Sequence, residues 1–264
     1  GASSQSYDSV AIGAYSGQTR QTSNCVSIGY STGTQDQGVG GVAIGSFSGQ
    51  YGQGANSVAI GYQCQSAYQG TECVAIGYRS GNLSTSWNYT TSVGAYAAYD
   101  TQGTYATSLG YKSGYSLQDQ YALSCGAFSG YQSQGQYGVA IGYQAGYTSQ
   151  GAYSVAIGYQ AGNTSQVTRS IVINATGAAL NAANSGLYIN PIRLASGSAG
   201  AVVYNTTTKE VTFDTTKTFV IDHPNDKGKY LVHACLEGPE AGVYYRGEVC
   251  MSGTSHIVEL PSYV

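Results

Sequence analysis

The chain has 264 residues, of which 38 are Gly and 26 Tyr, while only 9% are charged, so it does not read as an ordinary globular domain. A net charge of −3 without any Lys/Arg run excludes a nucleic-acid footprint, and no apolar stretch is long enough to cross a bilayer. Glycine-rich, weakly charged sequence is often disordered, but here the apolar residues are periodic and β-branched, which predicts order.

The period is set by a glycine that follows a hydrophobic triplet. It falls at Gly13, Gly29, Gly45, Gly61, Gly77, Gly94, Gly110, Gly126, Gly142 and Gly158, a step of sixteen residues with a single step of seventeen. Such a period predicts a solenoid in which each turn buries its face against the next. Ten turns at ~4.8 Å would make a rod of about 48 Å.

Within each turn the triplet is a strand. Val stands three residues before the glycine and Ile one before it in most turns, with a small residue between them. Side chains alternate across a strand, so Val and Ile share one face. Their β-branched shape predicts that this face fills the coil. The small column, Ala11, Ser27, Ala43, Ala59, Ala75, Ala140 and Ala156, is then expected to point outward, where it would let another backbone approach as a trimer interface.

After the marker, Gly four residues on (Gly17, Gly33, Gly49, Gly81, Gly114, Gly130, Gly146, Gly162) predicts tight corners. A Gln eight residues on, in nine of the ten turns, predicts a structural amide ladder. Tyr30, Tyr62, Tyr78, Tyr111, Tyr143 and Tyr159 form one column and Tyr115, Tyr131 and Tyr147 another. Exposed Tyr can stack on sugars or a partner surface with little entropy loss. The first column, with Trp87 and Tyr89, is therefore a candidate recognition surface, against the plainer reading that it protects a solenoid flank. The one-residue insertion lies in Leu83 to Tyr89 and predicts a bulge or loop there.

Among the six cysteines, Cys25 and Cys73 share a slot three turns apart, roughly 14 Å, which excludes a bridge between them. Cys64 falls in a small-residue slot and Cys125 in one expected to be buried. Free thiols used as small apolar fillers are the reading for all of them.

Beyond the marker glycines the register continues through Ile171-Val172-Ile173-Asn174 and Leu187-Tyr188-Ile189-Asn190, with Asn in the glycine slot as the residue that next best tolerates a left-handed backbone. Residues 202 to 213 read as a hairpin around a polar turn. These features divide the chain into a repeat head at 1–166, a neck at 167–215 and a β-rich terminal module at 216–264. The abrupt start at Gly1-Ala2-Ser3 and the stop after a strand-like run predict further sequence at both ends.

The Ser-Val-Ala-Ile-Gly unit resembles the head repeats of trimeric autotransporter adhesins over roughly residues 8 to 166. That resemblance implies a left-handed parallel β-roll and three chains packed side by side through the motif strand, here with sixteen residues per turn where the bacterial unit usually has fourteen. The neck, from Asn174-Ala175-Thr176-Gly177 through Tyr204-Asn205-Thr206-Thr207-Thr208-Lys209-Glu210, is similar to the connector in tail-fibre and surface proteins of phages and large DNA viruses of algae. The run Lys229-Tyr230-Leu231-Val232-His233-Ala234-Cys235-Leu236-Glu237-Gly238-Pro239-Glu240 resembles a module of the same viral proteins.

Calcium-binding β-rolls need Asp in every turn and ice-binding solenoids present Thr columns; neither pattern persists here. His233, Cys235 and Glu237 alternate along a strand near Asp222 and His223, an arrangement that could hold a metal or a Cys-His nucleophile, though satisfied polar groups explain it as well. The sequence thus predicts an all-β homotrimer without cofactor, metal or catalytic residues. Its expected role is a fibre or spike on a virion surface, attached to other virion proteins and binding a host cell-surface glycan or protein. The alternatives are an architectural spacer, a bacterial surface adhesin, or an enzyme with its site in residues 216 to 264. Five acceptor sequons, at Asn82, Asn88, Asn163, Asn174 and Asn205, leave glycosylation open.

Overall fold

The computed structural model describes residues 5–67, 70–82, 88–193, 201–214, 218–223, 226–234, 250, 252–255 and 257. Every regular element among the described residues is a β-strand. The first compact unit, Gly1–Ile192, is built on one twelve-stranded parallel sheet running from Val10–Ile12 to Gly186–Asn190. Each triplet pairs in register with the next, Val139↔Val155, Ala140↔Ala156 and Ile141↔Ile157 for instance, so every turn repeats the geometry of the last. Across the inserted residue the pairing is Val74↔Thr91, so the extra residue is absorbed outside the strand; the expected bulge itself falls mostly on 83–87, outside the described residues.

A second set of short parallel strands carries the return path: Thr19–Gln21 with Gln35–Gln37, then Ser116–Gln118, Gln132–Gln134 and Thr148–Gln150. Between the two sheets lies a narrow interior. Each described Gln of this column is buried there and donates from Nε2 to the carbonyl of the residue that opens the facing triplet: Gln53 to Val42 at 2.8 Å, Gln134 to Leu123 at 2.8 Å, Gln166 to Val155 at 3.0 Å. Most of these amides also reach a corner carbonyl four residues on, as Gln37 does to Gly41 at 2.9 Å. Others run along the stack, Gln37 to Gln53 at 3.0 Å and Gln118 to Gln134 at 3.1 Å. The ladder is thus structural; Gln69 lies outside the described residues.

This interior reverses the expected strand orientation. Ser27, Ala43, Ala59, Ala75, Ala140 and Ala156 are fully buried inside the coil, so they cannot meet another chain. Ala11, half-buried in the first turn, faces the same way: a Cβ on Gly17 would sit 3.2 Å from its Cβ, as one on Gly146 would sit 3.1 Å from that of Ala140. Val and Ile point outward instead. The space between the sheets is already filled by Gln amides, by the small residue of the triplet and by Ser, Cys or Ala three residues after the marker, as with Ser48, Cys64 and Ala145. Volume, not hydrophobicity, decides which parity of the strand is inside. Cys125, expected to be buried, consequently sits half-buried in the outward column.

Two glycines per turn have different reasons. The marker takes a φ of +107 to +135°, and a Cβ on Gly142 would lie 2.6 Å from the carbonyl oxygen of Gly158 in the next turn. The corner glycine takes φ near +50°, and a Cβ on Gly146 would lie 2.7 Å from Oε1 of Gln150. The first permits close stacking and the second makes room for the buried amide.

In the last two rungs the buried slot enlarges to Val172. Asn174 occupies the marker position without the left-handed backbone expected of it. Its side chain works instead: Nδ2 donates to the carbonyls of Tyr159 and Ala178, both at 2.7 Å, and Oδ1 accepts from Thr176 Oγ1 at 2.7 Å. The second unit, Arg193–Val264, contains the hairpin of Ala201–Tyr204 with Val211–Asp214 and the antiparallel pair Thr218–Asp222 with Tyr230–Ala234.

Candidate functional site

Because the triplet shows its Val and Ile outward, the first sheet presents a continuous apolar stripe. Its two columns are Val10 to Leu187 and Ile12 to Ile189, interrupted only by Thr91 and Thr107. In the Ile column Ile12 is 57% exposed and Ile141 36%, while Ile28, Ile44 and Ile60 are half-buried. Twelve rungs of exposed and half-exposed side chains, aliphatic but for Thr91, Thr107 and Cys125, are far more than a soluble surface ordinarily leaves uncovered.

The aromatic residues lie on the corners and form three rows. Tyr30, Tyr62 and Tyr78 zip with Tyr15 and Phe47 at centroid distances of 5.4 to 6.0 Å, mostly edge to face. Tyr111, Phe128, Tyr143 and Tyr159 continue the pattern. All six tyrosines expected in this column are exposed, and Tyr30, with Tyr15 and Tyr51, lines an open hollow of about 350 Å³. Trp87 lies outside the described residues.

Tyr89 belongs to a different row, Tyr89–Tyr105–Tyr121–Tyr137–Tyr153. These rings stack face to face at 4.9, 5.1, 5.0 and 4.9 Å. Sequence reasoning singles out only the first member of this row, although a Tyr five residues before the marker recurs in five consecutive turns and could have disclosed it. The third row is Tyr99–Tyr115–Tyr131–Tyr147, stacked at 5.2, 5.0 and 4.9 Å. Lys112 Nζ sits 5.5 to 5.8 Å from the ring centroids of Tyr96, Tyr111, Tyr115 and Phe128, so one cation is shared among four π faces. Burial, then the neighbouring Tyr131 and Tyr99, raise the Tyr115 phenol above its ordinary pKa, which keeps it a hydroxyl.

On the second sheet an open trough of about 390 Å³ is lined by Thr101, Leu117, Asp119, Ser133 and Gly135 with the buried Gln118 and Gln134. In the second unit Asp222, His223, Asp226 and Tyr230 line a smaller hollow of about 240 Å³. Cys235 and Glu237 lie outside the described residues, and the described residues bring no group of three His, Cys, Asp or Glu together. Among the thiols, Cys64 is held against the Ala75 carbonyl at 3.2 Å and burial pushes its pKa up to about 12. Of the sequons, Asn174 is buried with its amide engaged, so it is closed to modification in the folded chain.

A parallel β-solenoid with this inward Ala, outward Val/Ile strand is the class the geometry defines, and its repeats are like those of trimeric autotransporter adhesin heads. Residues 133–161 match the YadA head domain repeat in two copies. The match covers two of the turns, and the same strand register extends the likeness along the sheet. No curated protein and no solved structure matches the chain.

Proposed function

We propose that the chain is a non-enzymatic component of an extracellular fibre or spike, trimeric through its Val/Ile stripe, that attaches a virion to a host cell surface. The observation that carries this reading is the long outward stripe, apolar in every rung and broken in one column only at Thr91 and Thr107, which needs a cover of equal length and equal pitch; other copies of the same chain supply both. The number three is taken from the likeness to the adhesin heads, and the viral setting from the neck and terminal motifs. Attachment follows from repetition: many weak identical faces on a stiff support bind by avidity rather than through one pocket.

Sedimentation equilibrium tests the assembly. A mass three times that of the chain, unchanged by strong reductant, is expected, and Ile141→Asp with Ile157→Asp should reduce it to a monomer that keeps its β-sheet circular dichroism. A wild-type monomer would overturn the trimer. A trimer that fails to bind intact algal or bacterial cells would remove attachment and leave an architectural spacer.

A further inference from the structure

The second sheet faces away from the stripe, because the Gln amides span the coil between the two sheets. It therefore stays open when the stripe is covered. Its edge carries the Tyr99–Tyr115–Tyr131–Tyr147 stack, in which Tyr115, Tyr131 and Tyr147 each immediately precede a return strand, and three residues after those strands comes the Tyr121–Tyr137–Tyr153 part of the other stack. Face-to-face stacking has a chemical consequence. The ring faces are spent on one another, with interplanar angles of 11 to 14° in the first stack, so a ligand meets ring edges and hydroxyls rather than open π faces.

Those hydroxyl-bearing rings recur every 4.9 to 5.2 Å, close to the advance per residue of an extended β-1,4-linked hexopyranose chain. Between the stacks lies the trough, where Thr101, Ser133 and Asp119 offer hydrogen-bonding groups and Leu117 an apolar contact, a mixture suited to a sugar's polar rim and apolar face. Charge selects further. From Tyr99 to Tyr153 the only charged residues are Asp100, Lys112 and Asp119, and Lys112 is committed to the aromatic cage. A sulfated or uronic polymer would find no row of cations here.

We propose that this trough and its flanking tyrosine stacks bind an uncharged, extended β-1,4-linked polysaccharide running along the solenoid axis, one sugar per turn. The proposal rests on the attachment reading and specifies its ligand. Because the four rings are in step, each added sugar along the stack meets another tyrosine edge and hydroxyl, so affinity grows with chain length.

Titration calorimetry of the purified full chain with cellohexaose, chitohexaose, their disaccharides and a heparin hexasaccharide tests this. Either neutral hexaose is expected to bind at least tenfold more tightly than its disaccharide, with heparin inert. Tyr131→Phe keeps the stack and removes one hydroxyl, and should weaken the hexaose several-fold, whereas Tyr159→Phe, on the separate aromatic row, should leave it unchanged. Equal binding of disaccharide and hexaose, preference for heparin, or identical effects of the two Phe variants would overturn the proposal. A chain that adheres to whole cells yet ignores both neutral hexaoses defeats this inference alone; one that does neither defeats the attachment reading as well.

Discussion

Gln118 Nε2 donates to the carbonyl of Thr107 at 3.0 Å, from the second sheet to the first through the inside of the coil. The same side chain donates to Ser124 Oγ at 3.0 Å and accepts from Ser108 Oγ at 2.8 Å. The interior is therefore a hydrogen-bonded polar column, and its stability depends on satisfying each group. Gln118→Leu, similar in volume, should strand the Thr107 carbonyl, leave the Ser108 and Ser124 hydroxyls only each other, and lower stability by about 3 kcal/mol, read as a shift of the denaturant midpoint. A loss no larger than that of a surface substitution would show that water replaces the amide.

Marker and loop glycines should behave differently. In Gly142→Ala the new methyl would press on the Gly158 carbonyl at a backbone angle few L-residues adopt, whereas a Cβ added at Gly177 would meet nothing within 4 Å, and the backbone there has no positive φ. Gly142→Ala is expected to open the neighbouring turns to proteolysis, while Gly177→Ala stays within about 0.5 kcal/mol of the parent.

Several corners place side-chain residues in the left-handed region, where a Cβ costs roughly 1–2 kcal/mol. Ser149, exposed at φ +54° in the middle of the return strand Thr148–Gln150, is also left-handed. Ser149→Gly should raise the thermal midpoint and Ser149→Val should lower it; the opposite order in a melting series would contradict the left-handed backbone at this position.

Cys64 should be inert. Its pKa of about 12, against 9.0 for an ordinary thiol, means that the folded chain holds the proton after the unfolded chain has released it. Its contribution to stability is complete below pH 9 and falls as pH rises from there toward 12, by up to about 1.4 kcal/mol per pH unit. Iodoacetamide at neutral pH should leave Cys64 unmodified while labelling the exposed Cys250, and Cys64→Ala should flatten the alkaline loss. Mass spectrometry of the alkylated chain checks the first.

What could be read from the residues alone was whatever depends on local spacing. The sixteen-residue step, the triplet strand, the corner glycines and the Gln column all recur along the chain, and recurrence in sequence becomes stacking in space when each turn pairs with the next. Strand alternation also put Val and Ile on a common face.

The tertiary structure decided which face that is. Alternation divides a strand into two sides without saying which is inside, and the usual rule that β-branched residues fill the core fails in a coil too narrow to hold them. Ala140 and Ala156 fit against Gln150 and Gln166; Val139 and Ile141 do not, and so lie on the surface. Likewise the five tyrosines from Tyr89 to Tyr153 recur in the sequence as a column, but that their rings stack face to face was decided only when the turns were superposed at the pitch of the sheet.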